Sequence, residues 1–125
     1  MTSWYKKFAS QPHQPFFTNG IIFFILFITL FAFAYSNSIK LDTSILTYHA
    51  YALLFVVFIQ FFLGFLFVVF PKFLMQSEVA SKDYMGQFFL YFISSLGILL
   101  SLIFYSQITI LFQLLMLFAQ ILSFR

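Results

Sequence analysis

Three long apolar segments dominate this sequence and limit what it can fold into. They run from Gly20 to Ser36, from Tyr48 to Phe70 and from Phe88 to Phe124, and none of them contains Asp, Glu, Lys or Arg. A transmembrane helix needs about 20 consecutive apolar residues. Only 7% of the residues are charged, whereas soluble domains carry about 25%. The sequence therefore predicts one all-α membrane domain over residues 1–125.

The third segment is too long for a single crossing. As one helix rising ~1.5 Å per residue it would extend roughly 55 Å, against ~30 Å for a hydrocarbon core. Its natural break is Tyr105-Ser106-Gln107, which predicts a tight helical hairpin. At the end of the second segment, Pro71 is expected to stop the helix. The sequence thus predicts four transmembrane helices, at 18–37, 48–70, 87–105 and 107–124, with a cytoplasmic loop at 71–86.

The basic residues predict the orientation of these helices. Four spans place one group of cations on one side of the membrane and Lys40 alone on the other. The larger group is Lys6, Lys7, Lys72, Lys82 and Arg125. Since cytoplasmic loops carry an excess of Lys and Arg, both termini are predicted to be cytoplasmic in a multi-pass protein of the inner membrane. The net charge of +3 reflects this asymmetry and does not indicate binding to nucleic acid.

A cleaved signal peptide is the alternative interpretation of the N-terminus. Lys6-Lys7, the apolar stretch that follows and Ala32-Phe33-Ala34 match the basic, apolar and A-x-A regions of such a peptide. The region before the apolar stretch is long, however, and contains Pro12 and Pro15. Such a leader is unusual for a signal peptide, so an uncleaved first span is favoured.

Uncharged polar residues lie inside the predicted spans. Counted at ~1.5 Å per residue from the span ends, Gln60, Ser95 and Gln120 all fall near mid-depth. Gln113 and Gln120 are seven residues apart and share one helix face. These residues predict a structural polar layer that joins helices by hydrogen bonds. Because no Asp, Glu, Lys or Arg lies in a span, a self-contained ion-coupled transporter is disfavoured.

The chain contains two histidines and no cysteine. His13 precedes the first predicted span and His49 begins the second, so a bilayer thickness separates them. One subunit cannot use both on the same metal. Acid–base or nucleophilic catalysis requires a positioned set of reactive groups, and Asp42 is the only acid on the side of His49. The sequence therefore does not predict an enzyme.

The segments around the first two spans resemble a known family. Residues 12–17 read P-H-Q-P-F-F, residues 48–55 read Y-H-A-Y-A-L-L-F, and residues 64–72 read G-F-L-F-V-V-F-P-K. This order is similar to the amino-terminal helices of the NnrS family, with motifs like P-F-R-P-F-F, H-A-H-E-M-L-F-G-F and G-F-L-L-T-A-V-P-N-W. The resemblance covers residues 12–72, with compatible hydropathy to about residue 124. The family's H-A-H-E reads H-A-Y-A here.

The resemblance implies a polytopic membrane protein associated with haem and copper, with a role in nitric-oxide metabolism and in resistance to nitrosative stress. His49 is then the candidate haem and metal ligand, and Tyr51 is a candidate cofactor contact. Haem iron takes at least one axial ligand, commonly an imidazole, and a second ligand would have to come from another subunit. A copper ion would likewise need a second ligand from another subunit. Haem is the favoured cofactor.

The expected partners are lipid and other transmembrane helices, in a homodimer or a larger complex. The alternative function is a cofactor-free four-helix accessory or scaffold subunit. The change of the family's second histidine and glutamate to Tyr51 and Ala52 favours this alternative, whereas the presence of His49 favours haem.

Overall fold

The computed structural model describes the backbone of residues 2–124 and the side chains of residues 3–123. Within that range there are five helices and no strand. The helices are α1 (Thr2–Phe8), α2 (His13–Tyr35), α3 (Ile45–Phe73), α4 (Ser81–Phe104) and α5 (Thr109–Ile121). Short 3₁₀ turns at Ser106–Ile108 and Leu122–Phe124 flank α5. Arg125, which contributed to the predicted charge asymmetry, lies outside the described residues.

Three of these helices, α2, α3 and α4, are long and apolar enough to cross a membrane. The segment from Ser106 to Ile121 is apolar but shorter. The prediction of an all-helical domain is therefore confirmed, with three candidate spans and one shorter apolar helix. Helix α4 ends at Phe104, and Tyr105 separates it from the following 3₁₀ turn.

Helix α2 ends in a Schellman motif. Asn37 adopts a left-handed conformation with φ of 58°, which asparagine tolerates better than most residues. The N–H of Ser38 donates to the carbonyl of Phe33 at 3.0 Å, and the N–H of Asn37 donates to that of Ala34 at 3.1 Å. These two bonds satisfy carbonyl groups that a helix end otherwise leaves unpaired.

Helix α3 continues past Pro71 to Phe73, whereas the sequence predicted its end at Phe70. Pro71 lacks an N–H and so removes one helical hydrogen bond. The helix ends two residues later in a second Schellman motif, where the N–H of Gln76 donates to the carbonyl of Pro71 at 2.9 Å and Met75 has a φ of 52°. Helix α4 similarly begins at Ser81, inside the segment predicted as a loop. Asp83 lies in its first turn, where a carboxylate interacts favourably with the positive end of the helix dipole.

A π-helical stretch interrupts α3. The α-helical parts Ile45–Tyr51 and Ile59–Phe73 are joined by a π-helix at Ala52–Phe58. Its i→i+5 hydrogen bonds make wider turns than those of an α-helix. The wider turns change the angle about the helix axis between the segment that carries His49 and Tyr51 and the part Ile59–Phe73. In an uninterrupted α-helix, His49 and Tyr51 would face other directions.

Aromatic side chains fill the core. Helix α2 packs on α3 and α4, and α4 packs on α5. Four phenylalanines of α2 are buried: Phe16, Phe23, Phe27 and Phe31. The ring of Phe16 meets that of Tyr91 nearly edge-on, with centroids 6.2 Å apart, an arrangement that aromatic pairs prefer. This core holds α2 against α3 and α4, which carry all the candidate site residues except Gln120.

Candidate cofactor site and polar network

His49 lies one turn into α3 and faces α2. Its imidazole stacks on the ring of Phe31, with centroids 5.2 Å apart and planes 4° apart. The ring of Tyr35 lies 6.2 Å away at a tilt of 59°. The side chain is half-buried. Because the available lone pair of a neutral imidazole lies in the ring plane, stacking on one face leaves the unprotonated nitrogen free to bind a metal or to accept a hydrogen bond.

Tyr51 faces a different neighbour. Its hydroxyl donates a long hydrogen bond to Sδ of Met116, at 3.7 Å, and its ring lies 5.1 Å from that of Phe55. Residues two apart on a helix do not share a face. The structure therefore turns His49 towards α2 and Tyr51 towards α5, and it does not bring the two side chains together around one ligand.

The two histidines lie at opposite ends of α2. His13 begins that helix, whereas His49 packs against Phe31, which is 18 residues further along. At ~1.5 Å per residue this separation is roughly 27 Å. The described residues also contain no group of three or more His, Asp or Glu side chains that could hold a metal ion.

A haem fits this arrangement only in part. His49 can supply one axial imidazole, which is the ligand that haem iron commonly takes. His13 cannot supply a second imidazole at this end of the bundle, because it is roughly 27 Å away. Two cavities in the described part of the chain lie beside Pro12 and His13, at the other end of α2. Among the described residues, His49 thus fits the role of one imidazole ligand of a haem.

A chain of hydrogen bonds crosses three helices in the core. Nδ2 of Asn19 on α2 donates to Oε1 of Gln60 on α3 at 2.5 Å. Nε2 of Gln60 then donates to Oγ of Ser95 on α4 at 3.4 Å. All three side chains are buried, with exposures of 2% or less. We refer to Asn19, Gln60 and Ser95 as the polar chain; it links the three candidate spans inside the bundle.

Gln120 lies apart from the polar chain. It is half-buried on α5 and lies near the hydroxyl of Tyr91. That hydroxyl is buried, and no group among the described residues is placed to form a hydrogen bond with it. The structure therefore brings Gln60 and Ser95 together and places Gln120 in a separate contact between α4 and α5.

The sequence analysis missed two polar residues of the core. Asn19 was not assigned to the polar layer because it lies beside the start of the first apolar segment. Gln87, at the start of α4, donates to the carbonyl of Ala119 at 3.1 Å and to Oγ of Ser123. An amide within an apolar helix is costly unless it is hydrogen-bonded. Both residues could have been flagged on that ground, but their partners could not have been identified.

Two contacts that involve small residues hold α4 against α5 near the turn between them. The hydroxyls of Ser101 and Thr109 lie 2.8 Å apart, and both side chains are buried. One turn before Ser101, the ring of Phe112 covers Gly97 so closely that a Cβ there would overlap it. Small residues at a helix interface let the backbones approach, which explains how the hairpin packs.

Comparison with known proteins gives one clear match. The family model described as NnrS protein matches residues 7–124, which is nearly the whole chain. No curated protein and no solved structure matches the chain significantly.

Proposed function

The chain belongs to the NnrS family, and we propose that it is a four-span membrane protein in which His49 binds haem and which acts in the response to nitric oxide. The family match over residues 7–124 carries this proposal. Family membership and the apolar helices indicate a multi-pass membrane protein of the NnrS kind. The number of spans, the haem and the link to nitric oxide are the proposed part.

The fourth span is supported by the length of the last helix. Residues 106–124 are helical throughout, as a 3₁₀ turn, α5 and a second 3₁₀ turn. At ~1.5 Å per α-helical residue and ~2.0 Å per 3₁₀ residue, this segment extends roughly 31 Å. That length matches a hydrocarbon core of ~30 Å. Because cytoplasmic segments carry an excess of Lys and Arg, four spans with a basic N-terminal side place both termini in the cytoplasm. The membrane in this proposal is the inner membrane.

Cysteine labelling in intact cells tests this topology, and the chain has no native cysteine to interfere. We expect Ser38→Cys and Gln107→Cys to react with a membrane-impermeant maleimide. Ser10→Cys, Lys82→Cys and a cysteine at position 125 should react only after the membrane is opened. Labelling at position 125 in intact cells would contradict the fourth span, and labelling of Ser10→Cys would contradict the orientation.

The haem site is proposed at an interface between two subunits. His49 would hold the haem through its imidazole, whose ring orientation is fixed by stacking on Phe31. A second copy of the chain, or a partner of similar kind, would hold it from the other side of the interface. Bound haem would supply an iron that can coordinate nitric oxide. The role of this chain is to hold the imidazole in place at the end of the bundle where α3 begins.

Absorption spectra of the detergent-purified protein, made in cells supplied with haem, test this site. We expect a Soret band in the wild type and in His13→Ala, with one haem per two chains, and no band in His49→Ala. Tyr51→Phe should keep the band, because the Tyr51 hydroxyl contacts Met116 and not His49. A featureless wild-type spectrum, or a band that persists in His49→Ala, would contradict haem binding at His49.

A cofactor-free accessory subunit is the second candidate function. Ala52 stands where the resembling motif has a glutamate, and it is buried with 1% exposure. Tyr51 stands where that motif has its second histidine, and its hydroxyl turns into the core. A featureless spectrum, together with co-purification of a larger membrane complex, would favour this function.

A further inference from the structure

A groove lies between α1 and the first turns of α2, on the surface of the helix bundle. Its volume is about 450 Å³, and its walls include Trp4, Lys7, Phe8, His13, Phe17 and Ile21. The ring of Trp4 stacks on that of Phe8 with centroids 5.1 Å apart. Phe8 in turn meets Phe88 of α4 edge-on at 6.0 Å. Helix α1 is therefore fixed against the bundle, and the groove is part of the folded structure.

The two ends of the groove differ in polarity. Lys7, His13 and Gln14 lie at the end formed by α1 and the start of α2, whereas the uncharged residues Phe17, Thr18 and Ile21 line the groove further along α2. None of the residues that line the groove is acidic. Trp4 is 69% exposed, and exposed tryptophan is typical of the membrane–water interface. The groove thus presents a cation near the exposed Trp4 and a mainly apolar wall further along α2.

An exposed apolar strip continues from the groove along α2. Ile21, Ile25 and Ile28 are 52%, 58% and 42% exposed, and their i, i+4, i+7 spacing puts them on one helix face. From Phe17 to Ile28 the strip extends roughly 16 Å at ~1.5 Å per residue. This is about half of a hydrocarbon core of ~30 Å, and therefore the depth of one leaflet.

From this juxtaposition we propose that the groove binds one anionic phospholipid. Its headgroup lies at Lys7 and His13, and an acyl chain follows Phe17, Ile21 and the rest of the strip. The occupant is a lipid and not free phosphate, because the apolar strip matches an acyl chain in length and has no role for a small anion. The proposal is independent of haem binding and of the direction in which the chain crosses the membrane.

Fluorescence of Trp4 tests this proposal directly, because Trp4 is the single tryptophan of the chain and forms a wall of the groove. The protein is reconstituted in phosphatidylcholine with increasing fractions of acyl-brominated phosphatidylglycerol or acyl-brominated phosphatidylcholine. Bromine quenches tryptophan only at short range. We expect the anionic lipid to be preferred about fivefold, which corresponds to the ~1 kcal/mol that one lysine contributes near an anionic membrane.

The control variant is Lys6→Gln, since Lys6 is exposed on the same helix but does not line the groove. We expect Lys7→Gln to reduce the preference to about one, and Lys6→Gln to retain most of it. Both lysine side chains are exposed, so neither variant should alter the helical circular dichroism. Equal losses in the two variants would indicate general surface charge and overturn the proposal. So would the absence of a preference in the wild type.

Inorganic phosphate distinguishes the two sources of the anionic group. Added at constant ionic strength, it should leave the lipid preference unchanged. If it abolishes the preference, the groove is a site for free phosphate and the lipid proposal is wrong.

Discussion

Replacing Gly97 with alanine is expected to destabilise the protein by about 2 kcal/mol. The added Cβ would overlap Cδ1, Cε1 and Cγ of the Phe112 ring, so the ring must rotate about χ1 or α5 must shift. Overpacking of this kind costs about 1–3 kcal/mol. The higher helix propensity of alanine offsets at most about 1 kcal/mol, so the steric cost dominates. Reversible unfolding by sodium dodecyl sulfate in mixed micelles, followed by circular dichroism, measures the change.

Gly86→Ala is the matched control, because it makes the same substitution in the same helix. Nothing lies within 4 Å of a Cβ at Gly86. We expect this variant to be unchanged or more stable by up to about 1 kcal/mol. In the background of Gly97→Ala, the change Phe112→Leu should recover part of the lost stability. Equal free energies of unfolding for Gly97→Ala and Gly86→Ala would show that the hairpin does not pack through Gly97.

The sequence was sufficient to predict the all-helical membrane domain, because apolar length alone determines which segments can cross a bilayer. Local geometry was less predictable. Helix α1 has seven residues, too few for a hydrophobic period to be recognised. The end of α3 was placed at Phe70 because proline disfavours helix interiors, yet the helix continues three residues further, to Phe73. The π-helix at Ala52–Phe58 has no signature in its composition.

The candidate site was predictable in residue type but not in pairing. Gln60 and Ser95 stood out as polar residues within apolar segments, and the structure places them in one hydrogen-bonded chain. Their partner Asn19 was overlooked because it lies at the edge of the first predicted span, just before the apolar segment that begins at Gly20. The side of the helix that His49 and Tyr51 face depends on the adjoining π-helix and on packing with α2 and α5. A pattern of residue types carries no information about either.

Replacing Gln60 with alanine is expected to cost about 2–3 kcal/mol, since it leaves a cavity and unpairs buried groups of Asn19 and Ser95. Gln60 is fully buried and bonds to α2 at 2.5 Å and to α4 at 3.4 Å. Hydrogen bonds between transmembrane helices average about 0.6 kcal/mol and reach about 1.7 kcal/mol. The cavity therefore supplies a large part of the loss. Unfolding in mixed micelles measures the total.

A double-mutant cycle separates the hydrogen bond from the cavity. We expect Gln60→Ala and Asn19→Ala to couple by about 1 kcal/mol. Gln60→Ala and Ser95→Ala should couple less, because the bond at 3.4 Å is longer than an optimal one. Gln113→Ala is the control: Gln113 is a half-buried glutamine outside the polar chain, and it should cost less than about 1 kcal/mol. Coupling near zero between positions 19 and 60 would mean that the polar chain fills space without joining α2 to α3.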